Sequence, residues 1–220
     1  LKIKYFMSKA KFKISFIICT RNDDHGLNLN IRTKLFLENW IKNIKKNKSR
    51  FELIIVEWNN IKKKKNFFLS FLNKKKYKSL PIQIVTVPNE IHYKLNNSKK
   101  IGLYQMIAKN VGAIRARGEY LLFTNIDILF SDKIFKQLNE IDTKDQKTFY
   151  RAVRYDVNLN YKSSNNFNFL KKNVVKINFN NKTKIIGKSF LFYLNLYLKQ
   201  QIKLLLNIKF YKFILYCLKN

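Results

Sequence analysis

The feature that most constrains this chain is a set of four short apolar runs, rich in β-branched residues, between residues 14 and 124. Runs of this kind are typical of strands that are buried on both faces of a parallel sheet. The runs cover residues 14–19, 51–56, 82–87 and 119–124. Because helix-like segments separate them, we expect an α/β fold with a mainly parallel sheet and helices on both faces.

The connecting segments carry apolar residues at spacings of three and four, which predicts amphipathic helices. The face expected to be buried on the first helix consists of Ile31, Leu35, Trp40, Ile41 and Ile44. The face expected to be buried on a helix over 102–116 consists of Leu103, Met106, Ile107, Val111 and Ile114. Gly118 suits the position just past that helix, and Ser131 suits the N-cap of a later one. The basic segment 62–78 is predicted to be a surface helix.

Polar residues follow three of the four predicted strands at the point where each strand ends. They are Thr20-Arg21-Asn22, Glu57-Trp58-Asn59 and Asn125-Ile126-Asp127. In open parallel sheets, ligands bind outside the carboxyl ends of the strands. The sequence therefore predicts that these three clusters meet at one edge and form the functional site.

Each polar residue at that edge has a functional and an ordinary interpretation. Asp127 is a candidate ligand for a divalent cation, or an ordinary turn aspartate that precedes a helix. Glu57 would accept a hydrogen bond from a nucleotide base, or lie exposed at a strand end. Thr20, Arg21 and Asn22 would line the same pocket, with Arg21 facing phosphate.

Basic residues near the predicted 102–116 helix form a second group of candidates. Lys109, Arg115 and Arg117 would face a diphosphate, or form a solvated basic surface. His25 and His92 are isolated, and the sequence has no zinc-ligand spacing, nucleophile elbow, phosphate-binding loop or dinucleotide fingerprint.

The formal net charge of +32 favours anionic partners. Nucleic acid is the less favoured of these, because only seven of the 45 basic residues are arginines, and arginine is the residue that forks onto phosphate and guanine. Abundant Lys, Asn, Ile and Phe indicate an AT-rich coding sequence, which by itself explains much of the lysine. An anionic membrane surface or an anionic donor substrate fits the charge better.

The character of the chain changes after residue 157. We expect a first domain over 1–157 and a divergent basic and apolar segment over 158–220. Residues 189–218 are rich in Leu, Phe, Tyr and Ile but are broken by lysines, so a peripheral contact with anionic membrane is predicted instead of a transmembrane span. The absence of a visible signal peptide and the two distant cysteines, Cys19 and Cys217, favour a cytoplasmic location, and the membrane contact predicted above would place the protein at the inner face of the plasma membrane.

Read together, these segments resemble the family-2 inverting glycosyltransferases over roughly residues 13 to 157. Those enzymes open with a strand and a Pro-Thr-x-Asn-like turn, where this chain has Cys19-Thr20-Arg21-Asn22. They continue with an Ala-Arg-Asn-x-Gly helix and an Ala-x-Gly-Glu-Tyr segment. This chain has Ala108-Lys109-Asn110-Val111-Gly112 and Ala116-Arg117-Gly118-Glu119-Tyr120. Their next strand ends in Asp-x-Asp, where this chain has Asn125-Ile126-Asp127.

The resemblance implies a Rossmann-like GT-A fold that binds a nucleotide-diphosphate sugar. By that likeness Glu57 contacts the donor base, Lys109 and Asn110 lie near the donor, and Asp127 holds Mn²⁺ or Mg²⁺. The sugar would pass to a glycan or lipid-linked acceptor with inversion, as in the biosynthesis of cell-envelope polysaccharides.

Two departures from the family pattern leave the activity open. Asn125 replaces the first aspartate of Asp-x-Asp, so the site carries less negative charge for a metal. No Asp or Glu occurs from Val157 to Asn220, so the catalytic base expected there is missing, and Asp156 is the nominated substitute. Two alternatives remain: a degenerate nucleotide-sugar-binding protein without turnover, or a basic protein that binds membrane or nucleic acid.

Overall fold

The computed structural model describes residues 12–23, 28–47, 50–61, 72, 79–141 and 150–157, together with the backbone of 174–179 and 182–185. The chain divides into two compact units, Leu1–Lys147 and Thr148–Asn220. The predicted membrane-associating segment 189–218, His25 and nearly all of the predicted helix 62–78 lie outside the described residues.

The first unit is built on four parallel strands in the order β3-β2-β1-β4. The strands are β1 (Phe12–Thr20), β2 (Phe51–Trp58), β3 (Ile82–Val87) and β4 (Gly118–Phe123). The helices are α1 (Leu29–Lys46), α2 (Asn89–Tyr93), α3 (Gln105–Ala113) and α4 (Asp132–Glu140). The predicted α/β fold with a parallel sheet is therefore confirmed, and each predicted strand lies within two residues of its expected bounds.

One face of the sheet packs against α1 and α4. Alternate residues of β1 and β2 are aligned in register, with Phe16 opposite Leu53 and Ile18 opposite Ile55, and all four are buried. Phe16 and Phe135 stack with their ring centroids 5.7 Å apart. The Ser131 hydroxyl accepts a hydrogen bond from the Ile134 backbone N–H at 3.3 Å, so the predicted N-cap of α4 is confirmed.

The buried face of α1 is slightly rotated from the expected one. Trp40, Ile41 and Ile44 are buried as predicted, but Ile31 is exposed and Leu35 is half-buried. Leu29, Thr33, Phe36 and Leu37 are buried in their place. This part of the prediction was wrong because apolar residues occur on several faces of α1, and only contact with the sheet selects which of them are buried.

The C-terminal end of α1 is tied to the start of α4. Asp132 accepts hydrogen bonds from Lys46 at 2.7 Å and from Asn47 at 3.2 Å. These bonds, above all the one from Lys46, hold the pKa of the Asp132 carboxyl below its ordinary value. The contact is exposed and joins two helices that pack on the same face.

The other face of the sheet packs against α3 through small residues. Ala108 and Gly112 are the buried residues of α3, and they lie against Ile17 and Val56. A Cβ built on Gly112 would lie 2.7 Å from Ile17 Cγ2 and 3.2 Å from Val56 Cγ2. The predicted apolar face was wrong in part: Met106 is 72% exposed and Ile114 is 82% exposed, whereas Leu103 and Val111 are partly buried and pack against this core. The helix turns its small residues inward because they permit its backbone to approach the sheet.

The amino edge of the sheet is held by the buried carboxylate of Glu52. It accepts hydrogen bonds from the Ser15 hydroxyl at 2.7 Å, the Arg117 backbone N–H at 2.7 Å and the Arg117 guanidinium at 2.7 and 3.1 Å. Gly118 opens β4, and a Cβ there would lie 2.5 Å from the Ser15 backbone nitrogen. Gly118 is therefore needed for close strand approach, not for ending the preceding helix, which stops at Ala113.

The second unit contains a small antiparallel sheet in the order β5-β6-β7. Its strands are β5 (Arg154–Val157), β6 (Val174–Phe179) and β7 (Lys182–Ile185). The sequence pattern placed Asp156 just after a strand, whereas Asp156 lies within β5, opposite Lys176 in register. Across the described residues of both units, no helix combines the length and the apolar character that a membrane crossing requires.

Candidate functional site

The predicted polar clusters after β1, β2 and β4 lie at one edge of the first unit's sheet. Thr20 is paired in register with Glu57 on the neighbouring strand, and the Thr124 N–H donates to the Ile17 carbonyl at 3.1 Å. The carboxyl ends of β2, β1 and β4 are therefore adjacent, in that order. From β1 the chain continues to β2 and then β3 on one side of the sheet, whereas β4 lies on the other side of β1. The strand order therefore reverses between β1 and β4. This is the position at which open parallel sheets bind ligands.

Glu57 is a buried acceptor at the end of β2, with 2% of its surface exposed. Its Oε2 accepts hydrogen bonds from the Thr86 hydroxyl and from Asn60 Nδ2, both at 3.3 Å. The ordinary interpretation, an exposed strand-end carboxylate, was therefore wrong. Thr20 beside it is also buried. A contact between Glu57 and a nucleotide base stays a prediction.

Asn60 adds an acceptor that the sequence interpretation missed. Within the part of the chain that the structure describes, its Oδ1 is buried and has no hydrogen-bond partner. Leaving a buried acceptor unpaired costs roughly 1–3 kcal/mol, so a donor that reaches this oxygen would be favoured. Its neighbour Asn59 has a left-handed backbone with φ 50°, which turns the chain sharply after β2. The sequence signal for this turn was the pair Asn59-Asn60 directly after the predicted strand.

Arg21 and Asn22 join the loop after β1 to the loop after β2. The Asn22 side chain accepts from the Ile61 N–H at 2.6 Å and donates to the Ile61 carbonyl at 3.1 Å. Arg21 donates to the Asn59 carbonyl at 2.9 Å and to Asp23 at 3.1 Å. Both side chains brace the edge of the site, and a contact from Arg21 to phosphate stays a prediction.

Lys109 and Gln105 reach the same edge from α3. Asn125 Oδ1 accepts from Lys109 Nζ at 3.0 Å and from Gln105 Nε2 at 2.8 Å. The Cys19 thiol lies near Lys109. Burial raises the pKa of this thiol, and the positive charge of Lys109 opposes that shift. Lys109 thus lies at this edge of the sheet, and its contact with a diphosphate stays a prediction.

Asp127 lies beyond Asn125 in the loop after β4 and pairs with a residue that sequence reasoning missed. Its Oδ2 accepts from Arg32 Nη1 at 3.3 Å; the Arg32 side chain is 14% exposed and that of Asp127 is 45% exposed. Arg32 lies in the first turn of α1. A cation is unfavourable at the positive end of a helix dipole, and this anomaly was the signal in the sequence.

Three of the other candidate residues lie away from this edge. Arg117 binds Glu52 at the amino edge, and Arg115 donates to the Val111 carbonyl at 2.9 Å near the end of α3. Asn110 is exposed, two residues from Ala108 and therefore on the outer side of α3. Arg117 is thus engaged in a structural ion pair, and contacts of Arg115, Arg117 and Asn110 with a donor stay predictions.

Asp156 belongs to the second unit. Its carboxylate accepts from Arg154 at 2.9 Å, and both side chains are partly exposed. The role of Asp156 as catalytic base stays a prediction.

The oxygens of Asn125 and Asp127 are hard donors of the type that Mn²⁺ and Mg²⁺ prefer. Each of them, however, already accepts a hydrogen bond from a cationic side chain, Lys109 or Arg32. Among the described residues, no group of three or more His, Cys, Asp or Glu side chains is placed to hold a metal ion. The donor set as arranged does not fit a divalent cation, and the expected Mn²⁺ or Mg²⁺ stays a prediction.

The fold and the site define an α/β protein whose polar residues gather at the carboxyl edge of a parallel sheet, where the strand order reverses. No protein-family model matches the chain, and no curated protein matches it.

Proposed function

We propose that the first unit binds a nucleotide-diphosphate sugar at the carboxyl edge of its sheet, in a Rossmann-like GT-A fold, and that the protein transfers the sugar to a glycan or lipid-linked acceptor. The observation that carries this proposal is the meeting of Thr20, Glu57, Asn125 and Lys109 at the reversal of strand order. A phosphate-bearing ligand suits that position, because it is polar and flanked by cations.

The two ends of the site suit the two ends of such a donor. At the end of β2, Glu57 and the unpaired Oδ1 of Asn60 are acceptors that suit the N–H groups of a nucleobase. Two strand spacings away, roughly 10 Å, the loop after β4 is flanked by Lys109 and Arg32, which suit a diphosphate. The donor would therefore lie across the ends of β2, β1 and β4.

In the transfer itself, the acceptor hydroxyl oxygen would form a bond to the anomeric carbon from the side opposite the diphosphate. The bond between that carbon and the diphosphate oxygen would break, and its electron pair would leave with the diphosphate. Positive charge beside that oxygen stabilises the departing group more than it stabilises the intact donor. The hydroxyl proton must pass to a base.

Calorimetric titration with UDP and GDP, in the presence of Mn²⁺, tests donor binding. Asn60→Ala removes a base-end acceptor, so we expect nucleotide affinity to fall about five- to tenfold while affinity for inorganic pyrophosphate is unchanged. Gln137→Ala, an exposed amide on α4, is the matched control and should leave both affinities unchanged. Failure of every nucleotide to bind would contradict the proposal.

A degenerate binder without turnover is the second candidate. It is favoured by Asn125 in the place of a carboxylate and by the absence of any acidic residue from Val157 to Asn220. Release of free sugar or UDP from a UDP-sugar, measured over a panel of acceptors, separates the two candidates. Tight binding with no release under any acceptor would favour the degenerate binder.

A further inference from the structure

Two cations approach the loop after β4 from opposite faces of the sheet. Arg32 is on α1, which packs on the face that contains Phe16, and Lys109 is on α3, which packs on the face that contains Ile17. Arg32 Nη1 lies 3.3 Å from Asp127 Oδ2, and Lys109 Nζ lies 3.0 Å from Asn125 Oδ1. Both positive groups therefore lie at the reversal of strand order, one on each side of the segment 125–127 in the loop after β4.

The ion pair between Arg32 and Asp127 by itself adds little to the stability of the fold. Asp127 is 45% exposed, and ion pairs with such an exposed partner contribute little. Arg32 also stands in the first turn of α1, where the helix dipole opposes a cation. Arg32 makes a further contact within the protein, and its guanidinium lies beside the loop after β4, where an anionic ligand would meet it.

The same placement disfavours a metal ion. A divalent cation that used both Asp127 Oδ2 and Asn125 Oδ1 would have to displace Arg32 and Lys109, or lie beside their charges. Arg32 presents a planar fork that matches two phosphate oxygens, and Lys109 adds a point charge. Together they offer the two positive charges that a divalent cation would bring.

We propose that Arg32 and Lys109 bind the diphosphate of the nucleotide directly and neutralise it without a divalent cation. In this arrangement Asp127 is a positioning residue, which holds the Arg32 guanidinium at the site before the nucleotide arrives. This role rests on the proposed function, because the nucleotide-diphosphate donor is the ligand that it assigns to the site.

The test is calorimetric titration with UDP and with inorganic pyrophosphate, each in EDTA and each in Mn²⁺. We expect the wild-type protein to bind both probes in EDTA, with affinities within about twofold of those in Mn²⁺. Arg32→Ala and Lys109→Ala should each weaken both probes about ten- to a hundredfold, which is the loss expected for a charge-assisted contact. Arg32→Lys should recover only part of the loss, because lysine lacks the fork.

Arg50→Ala is the matched control, since Arg50 is exposed at the amino edge and its removal changes the net charge equally. It should leave both affinities within about twofold of wild type. Thermal unfolding of each variant, followed by circular dichroism, shows that a loss of affinity is not a loss of fold.

Asp127→Asn separates this proposal from a metal site. If Arg32 binds the diphosphate and Asp127 only positions it, the variant still binds UDP in EDTA, about two- to fivefold more weakly than wild type, because the neutral amide holds the guanidinium less firmly. Binding that is lost in EDTA, restored by Mn²⁺ and abolished by Asp127→Asn would overturn the proposal and leave the proposed function standing. Pyrophosphate binding with no nucleotide binding would support the two cations and contradict the proposed function.

Discussion

At the scale of single residues, Glu52 is a buried carboxylate that is paired by hydrogen bonds within the fold. It is almost fully buried, and its two carboxylate oxygens accept from Ser15 and from three N–H groups of Arg117. A buried carboxylate is tolerated only when it is paired and hydrogen-bonded. Glu52 therefore stabilises the amino edge of the sheet, well away from the candidate site.

Glu52→Gln should lower the free energy of unfolding by about 3 kcal/mol, the lower end for breaking a buried ion pair, because Arg117 stays half exposed. The measurement is urea denaturation followed by tryptophan fluorescence. Glu38→Gln is the control: its side chain is 36% exposed and lies 4.0 Å from Lys34, so its loss should cost less than about 1 kcal/mol. Equal effects of the two substitutions would refute the structural role of Glu52.

At the scale of elements, α3 connects stability to the site. Its inner side is small, at Ala108 and Gly112, so its backbone packs closely on Ile17 and Val56. That close approach brings Gln105 and Lys109 within hydrogen-bond distance of Asn125. The packing of one helix thus positions one of the two cations of the candidate diphosphate site.

Gly112→Ala should destabilise the protein by about 1–3 kcal/mol through overpacking, although alanine alone favours a helix by about 1 kcal/mol. The added methyl group would meet Ile17 Cγ2 at 2.7 Å. Thermal or urea unfolding gives the effect, and nucleotide affinity should fall with it as Lys109 moves outward. Asn110→Ala, on the exposed outer side of α3, should leave stability unchanged or slightly higher. A stabilising effect of Gly112→Ala would contradict the packing described.

At the scale of the whole molecule, acidic residues are scarce, and many of the described ones form ion pairs with basic residues. The chain has 13 Asp and Glu against 45 Lys and Arg. Ion pairs engage Asp23, Glu52, Asp127, Asp132 and Asp156. The remaining positive charge would draw anionic donors and anionic membrane towards the molecule, in a manner that salt weakens.

Asp156→Asn addresses the reaction as a whole, since Asp156 is the nominated base. If Asp156 accepts the hydroxyl proton, the variant loses turnover by at least about a hundredfold and keeps its UDP affinity. Arg154→Ala is the companion variant, because Arg154 pairs with Asp156 at 2.9 Å, and it should lower turnover much less than Asp156→Asn does. Full turnover by Asp156→Asn would remove Asp156 from the mechanism.

Much of the fold was predictable because its signals are local. The apolar runs of β1 to β4 identified buried parallel strands, and the polar residues after them marked the carboxyl edge. Ser131 was recognisable as an N-cap because capping involves only the next turn of chain. The sequence by itself thus determined the order of β1 to β4, the class of sheet and the edge at which the polar residues gather.

Only the tertiary structure decided which surfaces and charges meet. The apolar pattern of α3 pointed to Met106 and Ile114, yet contact with the sheet selected Ala108 and Gly112. The pairing of Arg32 with Asp127 joins residues 95 positions apart, and that of Glu52 with Arg117 joins residues 65 apart. No local pattern encodes such pairs, because they depend on how closely helices approach the sheet and on which loops that approach brings together.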